Sequence, residues 1–290
     1  MKIALYGKVF NGNFKPVMKT FLDKLVNSDV EIWVISPFLD YIKSSFPEYG
    51  NKLNAYTGQS DFPNGMDFLF SIGGDGTFLE AASLICGMDV PVVGINIGRL
   101  GFLAYISKDN LKQSIDLIFE GKYSIEDRSL IEMKTSGGLL HEFALNEIAI
   151  QKKDSKLITI HTYLNGELLN SYWADGLIIA TPTGSTAYSL SVGGPIVAPG
   201  SRNFIISPIS PHTLAVRPLV IPDFHEIRLE IEGRTSKYLV SADYRSHFID
   251  TAEKIILRRA DATVKMLKLE GHSFYNTIRA KLLWGIDIRN

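Results

Sequence analysis

The chain holds a single cysteine, Cys86, so it cannot close an internal disulfide and its fold must rest on an apolar core. No apolar run is long enough to span a bilayer, and Met1-Lys2-Ile3-Ala4-Leu5-Tyr6-Gly7 reads as a first strand, not as a signal peptide. A cytoplasmic protein with no membrane partner is expected. An excess of either charge is also missing: Lys+Arg number 30 against Asp+Glu 31, for a net charge of −1. Nucleic acid demands a basic surface and is therefore not an expected partner, although a local basic pocket for a phosphorylated small molecule is allowed. Several catalytic signatures are absent as well. There is no G-x-x-x-x-G-K-[ST] phosphate loop, no G-x-S-x-G nucleophile elbow, and no second histidine at the metallopeptidase spacing after His141-Glu142. Cys86, in an apolar helical stretch, is expected to be a buried small hydrophobe, not a nucleophile.

What remains is a 290-residue chain, 46% hydrophobic and 21% charged, with ample core for two domains and no repeat or low-complexity segment. Up to about residue 119, short apolar strands (2–6, 30–35, 68–72, 90–96) alternate with amphipathic helices, one presenting Val17, Phe21, Leu22 and Leu25, others at 78–85 and 111–119. That alternation predicts a Rossmann-like α/β domain with a parallel sheet covered on both faces. The period then changes to two, at 123–134, 141–151, 157–164 and 168–180, with Asn165-Gly166 as a hairpin turn, so the second half is predicted to be all-β through Leu267. The tail at 273–284 places Phe274, Ile278, Leu282 and Leu283 at helical spacing and is expected to return to the first domain. The expected division is 1–120 with 270–290, and 121–269.

The run Ser71-Ile72-Gly73-Gly74-Asp75-Gly76-Thr77 puts one carboxylate inside a glycine loop between a buried strand and a helix. Glycines let a bulky anion approach backbone N–H groups, which suits a phosphate. A carboxylate beside a phosphate is otherwise repulsive. Asp75 therefore needs a task for its charge: holding Mg2+, or taking a proton from a hydroxyl that attacks phosphorus, of which the proton is the favoured one. Glycine clusters with an Asp also make ordinary strand-to-helix turns. The loop lacks G-x-G-x-x-G, because Leu79 stands three residues past Gly76. A second glycine string, Gly94-Ile95-Asn96-Ile97-Gly98-Arg99-Leu100-Gly101, reads as another loop at a strand end.

The second constellation follows Asp175-Gly176, where a strand ends in Thr181-Pro182-Thr183-Gly184-Ser185-Thr186-Ala187-Tyr188-Ser189-Leu190-Ser191. Its hydroxyls offer neutral donors and acceptors for the edge of a heterocycle, with Ala187 and Tyr188 as an apolar floor. The plainer alternative is a serine- and threonine-rich loop capping a helix at 185–191.

Taken together, Gly73-Gly74-Asp75-Gly76-Thr77, Asn146-Glu147, Asp175-Gly176 and the run from Thr181 to Tyr188 resemble the motif set of the NAD kinase family over nearly the full chain. The stretches Asn96 to Leu103 and Pro208-Ile209-Ser210-Pro211-His212-Thr213-Leu214 resemble that family's intervening segments. The glycine loop alone is shared with diacylglycerol and sphingosine kinases; the threonine run makes the resemblance specific. It implies ATP-dependent phosphorylation of the 2′-hydroxyl of the adenosine ribose of NAD, with Asp75 as the base and Gly74, Gly76 and Thr77 beside the nucleotide phosphates. By the same resemblance Asn146 and Glu147 bind the ribose hydroxyls and adenine. Thr183, Thr186, Ala187, Tyr188, Ser189, Leu190 and Ser191 line the dinucleotide pocket, and Asp175 anchors an amide or amino group. Mg2+ travels with ATP, since no dedicated protein cage is legible. A homodimer or homotetramer is implied. The sequence departs from the family pattern at Trp173, where many relatives carry a basic residue, and at Asp243-Tyr244-Arg245, where Asp-Gly-Gln is usual. Arg245 is left to reach a phosphate, to pair with Asp243 or to sit on a strand surface. Two rival functions are a lipid kinase, which needs an apolar acceptor pocket in place of the hydroxyl run, and a non-catalytic NAD(P) sensor, which has no use for Asp75.

Overall fold

The computed structural model describes residues 1–10, 12–98 and 100–284, so Arg99 of the second glycine string lies outside the described residues. Two compact units emerge, one of Met1–Glu126 with Lys265–Asn290 and one of Asp127–Val264. In chain order the first part contains β1 (Lys2–Gly7), α1 (Lys15–Val26), β2 (Glu31–Ile35), α2 (Ser36–Ser45), β3 (Asn54–Tyr56), β4 (Phe68–Gly73), α3 (Asp75–Leu84), β5 (Val92–Asn96), β6 (Ile106–Ser107) and α4 (Leu111–Phe119). There follow β7 (Tyr123–Thr135), β8 (His141–Ala144), β9 (Glu147–Gln151), β10 (Ile158–Leu164), β11 (Glu167–Ala174), β12 (Gly176–Ala180) and the single turn α5 (Tyr188–Ser191). The chain closes with β13 (Asn203–Ile209), β14 (Leu219–Pro222), β15 (Ile227–Gly233), β16 (Lys237–Ala242), β17 (Arg245–Asp250), β18 (Ile255–Leu269) and α6 (Phe274–Leu282).

The first unit is an α/β domain. Its strands pair in parallel in the order β5-β4-β1-β2-β3. β4 and β5 are buried along their whole length, as near-continuous apolar strands covered on both faces must be. The order reverses between β1 and β4, the switch point at which open parallel sheets leave a crevice at their carboxyl ends, and β4 delivers the glycine loop there. α1 buries Met18, Phe21, Leu22 and Leu25, while Val17 is only half-buried. From α6 only Thr277 and Ile278 are buried; Leu282 is half-buried, and Leu283, the left-handed C-cap, is exposed. Cys86 is half-buried in a turn just past α3, not enclosed in a helix as the apolar stretch suggested.

The second unit is all-β. Six antiparallel strands run in the order β14-β13-β12-β9-β16-β17, and β11, β10, β15 and β18 form a second antiparallel series. Ile148, Ile150, Leu177 and Ile179 from the first sheet share one core with Ile160, Leu229, Ile231 and Leu257 from the second. The opposite face of the six-stranded sheet is also covered, Ala149, Ile178, Ala180 and Ile205 packing with Tyr188 and Val192. β12 is thus apolar at every position because both its faces are buried. The Asn165-Gly166 turn joins β10 to β11 with positive φ at both residues (49° and 89°), the geometry that makes this dipeptide favourable.

Two segments read as single strands are each broken at a polar residue. The stretch 141–151 divides into β8 and β9 at Leu145-Asn146, and 168–180 into β11 and β12 at Asp175. Each break turns a candidate ligand-binding residue out of the ladder.

Candidate active site

In the first unit, α3 begins at Asp75 itself, and its first helical bond runs from Phe78 N to Gly74 O (3.1 Å). The N–H groups of Asp75, Gly76 and Thr77 therefore have no intrahelical acceptor. Gly74 and Gly76 are exposed, and a Cβ on either would meet nothing within 4 Å, so the approach to these donors is open. Gly73 serves the packing: a Cβ there would strike the Thr77 side chain.

The Asp75 carboxylate is half-buried and already engaged. Oδ2 accepts from Phe102 N (2.8 Å) and Oδ1 from both Leu103 N and Ala104 N (3.0 Å each). A carboxylate has about four acceptor sites, so one is left over. Gly101 allows this grip, because a Cβ on it would collide with Asp75 Oδ1. Gly94 lets the same segment lie on β5, its Cβ position falling 2.6 Å from Leu103 O. Lys281 of α6 stands over the Phe102 ring at 4.4 Å, so the gripped segment also has a cation from the chain's tail.

In the second unit three segments meet at one end of the six-stranded sheet. The register Ala180↔Glu147 puts the end of β12 beside the start of β9, and Ala242↔Ile148 brings the β16–β17 turn to the same place. Thr181 N donates to Asn146 O (2.9 Å) and Thr181 Oγ1 to Leu145 O (2.5 Å). Gly184 packs so closely that a Cβ would overlap the Asn146 carbonyl. Asn146 and Glu147 are each only 8% exposed, and Glu147 Oε2 is buried with no hydrogen-bond partner among the described residues. Buried polar atoms with unspent capacity are costly unless something else satisfies them, and they mark a place where a ligand can.

Glu147 also lies near Asp243. Burial pushes the Glu147 carboxyl up to about 8, the Asp243 charge adds to this, and the Tyr188 backbone N–H works against it. Burial also pushes Asp243 upward, opposed there by three backbone N–H groups and by Arg245. With more donors on Asp243, the proton of this pair resides on Glu147. In its protonated form Glu147 can donate a hydrogen bond as well as accept one.

The hydroxyl run is more inward-looking than its composition suggested. Ser185 Oγ donates to Pro182 O (2.7 Å) and accepts from Val197 N (3.0 Å), and Thr186 Oγ1 donates to Thr183 O (3.2 Å). Ser189 pairs with Ser207 (3.0 Å), and Ser191 donates to Tyr188 O (2.7 Å). These bonds shape the loop through 3-10 turn Thr183–Thr186 and α5, but neither element has a side-chain cap, so the hydroxyls do not cap a helix over 185–191 as the plainer reading of the run expected. Tyr188 OH accepts from Gln151 Nε2 (2.8 Å), which carries the ring along β9 away from Glu147. Asp175 lies at the far end of β12, paired with Lys152 Nζ (2.5 Å). Leu190 is half-buried in α5. Arg245 is held by Glu142 Oε2 (Nε, 2.8 Å) and by the Phe143 carbonyl, so its contacts lead to β8. Trp173 is 53% exposed, its ring 5.4 Å from that of His212.

Sequence reasoning missed the part played by Asp243, whose carboxylate takes three consecutive backbone N–H groups, and by Gly101. An aspartate at the first place of a two-residue hairpin turn was the available signal for one. For the other there was only a glycine at a loop's end.

The comparisons with known proteins cover both units. Residues 39–123 match the family model for the ATP-NAD kinase N-terminal domain, and residues 145–269 that for the ATP-NAD kinase C-terminal domain. The chain is 42% identical to an NAD kinase of Cytophaga hutchinsonii and 42% to one of Bacteroides fragilis, in each case across all of both chains. An NAD kinase of Porphyromonas gingivalis is 39% identical over 99% of each. Among solved structures, yeast NADH kinase complexed with NADH shares the fold at a TM-score of 0.89, with 24% identity over 100% of this chain and 89% of that one. An NAD kinase from Archaeoglobus fulgidus in complex with ATP gives a TM-score of 0.75 at 25% identity, covering 97% of each. With both family models matched in order and relatives aligned end to end, the chain belongs to the NAD kinase family and is an enzyme of that class.

Proposed function

We propose that this enzyme transfers the γ-phosphoryl group of Mg-ATP to the 2′-hydroxyl of the adenosine ribose of NAD, giving NADP, with Asp75 taking the hydroxyl proton. The observation that carries the assignment of the base is the spare acceptor position of a half-buried carboxylate at the start of α3, flanked by Gly74 and Gly76 with open space over both. The open N–H groups of that first turn suit nucleotide phosphates. The Archaeoglobus fulgidus structure in complex with ATP supports ATP as a substrate, and the NAD kinase relatives support NAD. Mg2+ enters with ATP, held between its phosphates as this ion usually is.

Asn146 and Glu147 hold the adenosine of NAD, and Tyr188, Ser191 and Asp175 serve the rest of the dinucleotide. From Glu147 to Gln151 these groups extend roughly 13 Å along β9, a reach that suits two linked nucleotides better than one. Thr183, Thr186, Ala187, Ser189 and Leu190 shape that wall, and Arg245 backs it through β8. The reading also places the enzyme in the cytoplasm as a homodimer or homotetramer; among the described residues no helix is long and apolar enough to cross a membrane.

A positioned base contributes about 10²–10⁴ in rate, or roughly 3–5 kcal/mol, whereas holding the hydroxyl in line contributes roughly 7–11 kcal/mol. Asp75→Asn should therefore lose most turnover and keep NAD binding, measured by NADP formation and by NAD titration on the same sample. A second reading has its own observation: the three N–H bonds from residues 102–104 make Asp75 a staple for that segment. If stapling is its whole role, Asp75→Asn loses NAD or ATP binding together with turnover. No NADP from a folded wild type that binds NAD would favour a sensor.

A further inference from the structure

The β16–β17 turn presses against the segment that carries Asn146 and Glu147, and nothing in the reaction itself requires it to. Asp243 Oδ2 accepts from Leu145 N (2.8 Å), and Oδ1 accepts from Asn146 N (2.8 Å) and Glu147 N (3.2 Å). In return Asp243 N donates to Glu147 O (3.0 Å). Two residues on, Arg245 binds the Glu142 carboxylate and the Phe143 carbonyl, while His247 Nε2 lies 2.9 Å from Glu142 Oε1. One turn thus holds the chain from 142 to 147 by side chains of both signs.

The turn is strained to do so. Asp243 has φ 51°, in the left-handed region where a residue with a Cβ is disfavoured and glycine is the ordinary choice for a two-residue hairpin. A glycine would relieve the backbone and lose the carboxylate. The carboxylate is what the neighbouring segment needs: where β8 stops and β9 has not yet begun, the N–H groups of 145 and 146 have no ladder partner, and buried donors without acceptors are expensive.

We propose that Asp243, seconded by Arg245, is a positioning residue that fixes the Asn146–Glu147 backbone so that both side chains meet the adenosine of NAD already in place. The inference rests on the reading that Asn146 and Glu147 hold NAD, but the clamp itself can be tested apart from it. It touches no reacting atom.

The experiment compares wild type with Asp243→Asn and Asp243→Gly. Both replacements accept positive φ, so the hairpin can form in each, and only the anionic acceptor is lost. Hydrogen exchange should quicken at the amides of 145, 146 and 147 in both variants and stay as in wild type at 102–104. The KM for NAD should rise about tenfold or more, with kcat and the KM for ATP changed less than about threefold. Unchanged exchange at 145–147 would overturn the clamp, as would loss of kcat, both KM values and protection everywhere in parallel, the mark of general destabilisation. Faster exchange at 145–147 without any change in the KM for NAD would uphold the clamp and overturn the assignment of these residues to NAD. Should Asp243→Asn fail to fold, Asp243→Gly, with its relaxed turn, carries the test.

Discussion

Each unit of this enzyme contains an aspartate that accepts three consecutive backbone N–H groups from a segment far away in sequence, yet the two are suited to different work. Asp75 opens a helix, stands half-buried between two glycines with open space above them, and keeps an acceptor position free. Asp243 sits in a strained hairpin turn, faces a second buried carboxyl in Glu147 and has Arg245 two residues away. The same hydrogen-bond device suits one carboxylate to a ligand and the other to anchoring its neighbour. Both are half-buried; what differs is the surroundings, open glycines around Asp75 and Glu147 with Arg245 around Asp243, and these follow from local sequence: Gly-Gly-Asp-Gly against Ala-Asp-Tyr-Arg.

The comparison can be broken first at Asp75. Its replacement by Asn should lower turnover by about 10²–10⁴ with NAD affinity retained, the range of a lost general base. Gly101→Ala tests the same carboxylate without touching it, because the new methyl would overlap Asp75 Oδ1. Turnover should fall by up to about 10²-fold through misplacement, with NADP formation as the assay. An unchanged rate would mean that the 101–104 segment moves aside at no catalytic cost.

Away from Asp243, effects on the second unit should be smaller and should appear chiefly as stability. Gly184→Ala pushes a methyl into the Asn146 carbonyl, which is backbone and cannot swing away. A loss of about 1–3 kcal/mol in denaturant unfolding is expected, with weaker NAD binding. Glu147→Gln differs least from wild type below about pH 5 and has a distinct pH dependence. Burial pushes the folded carboxyl up to about 8, well above the ordinary glutamate range, so the unfolded chain ionises first and wild-type stability drains as pH rises through that window. The slope is up to about 1.4 kcal/mol per pH unit. Glutamine does not titrate, so the melting temperature of the variant relative to wild type should climb from pH 5 to pH 8. A pH-independent difference would show that Glu147 is ionised in the folded protein.

Much of this architecture was legible in the residues. Continuous apolar strands between amphipathic helices gave the parallel domain, the change to period two gave the β domain, and Asn165-Gly166 marked its hairpin. The errors have one physical source, which is that a pattern of apolar residues does not record where backbone groups find partners. β8 and β9 look like one strand because Leu145 continues the apolar alternation, yet the carboxylate of Asp243, almost a hundred residues later, draws their junction out of the ladder. The hydroxyls from Thr181 to Ser191 looked like an outward-facing ligand surface; several are instead spent holding their own loop. Arg245 offered three readings by sequence, and its ion pair with Glu142 lies at the end of a strand whose position only folding fixes.

The most direct test of the difference between the two aspartates is steady-state kinetics of NADP formation on Asp75→Asn and Asp243→Asn side by side, varying NAD and ATP separately. The account predicts that Asp75→Asn loses kcat with the KM for NAD held, and that Asp243→Asn raises the KM for NAD with kcat held. The same pattern in both variants, whether in kcat or in KM, would contradict it.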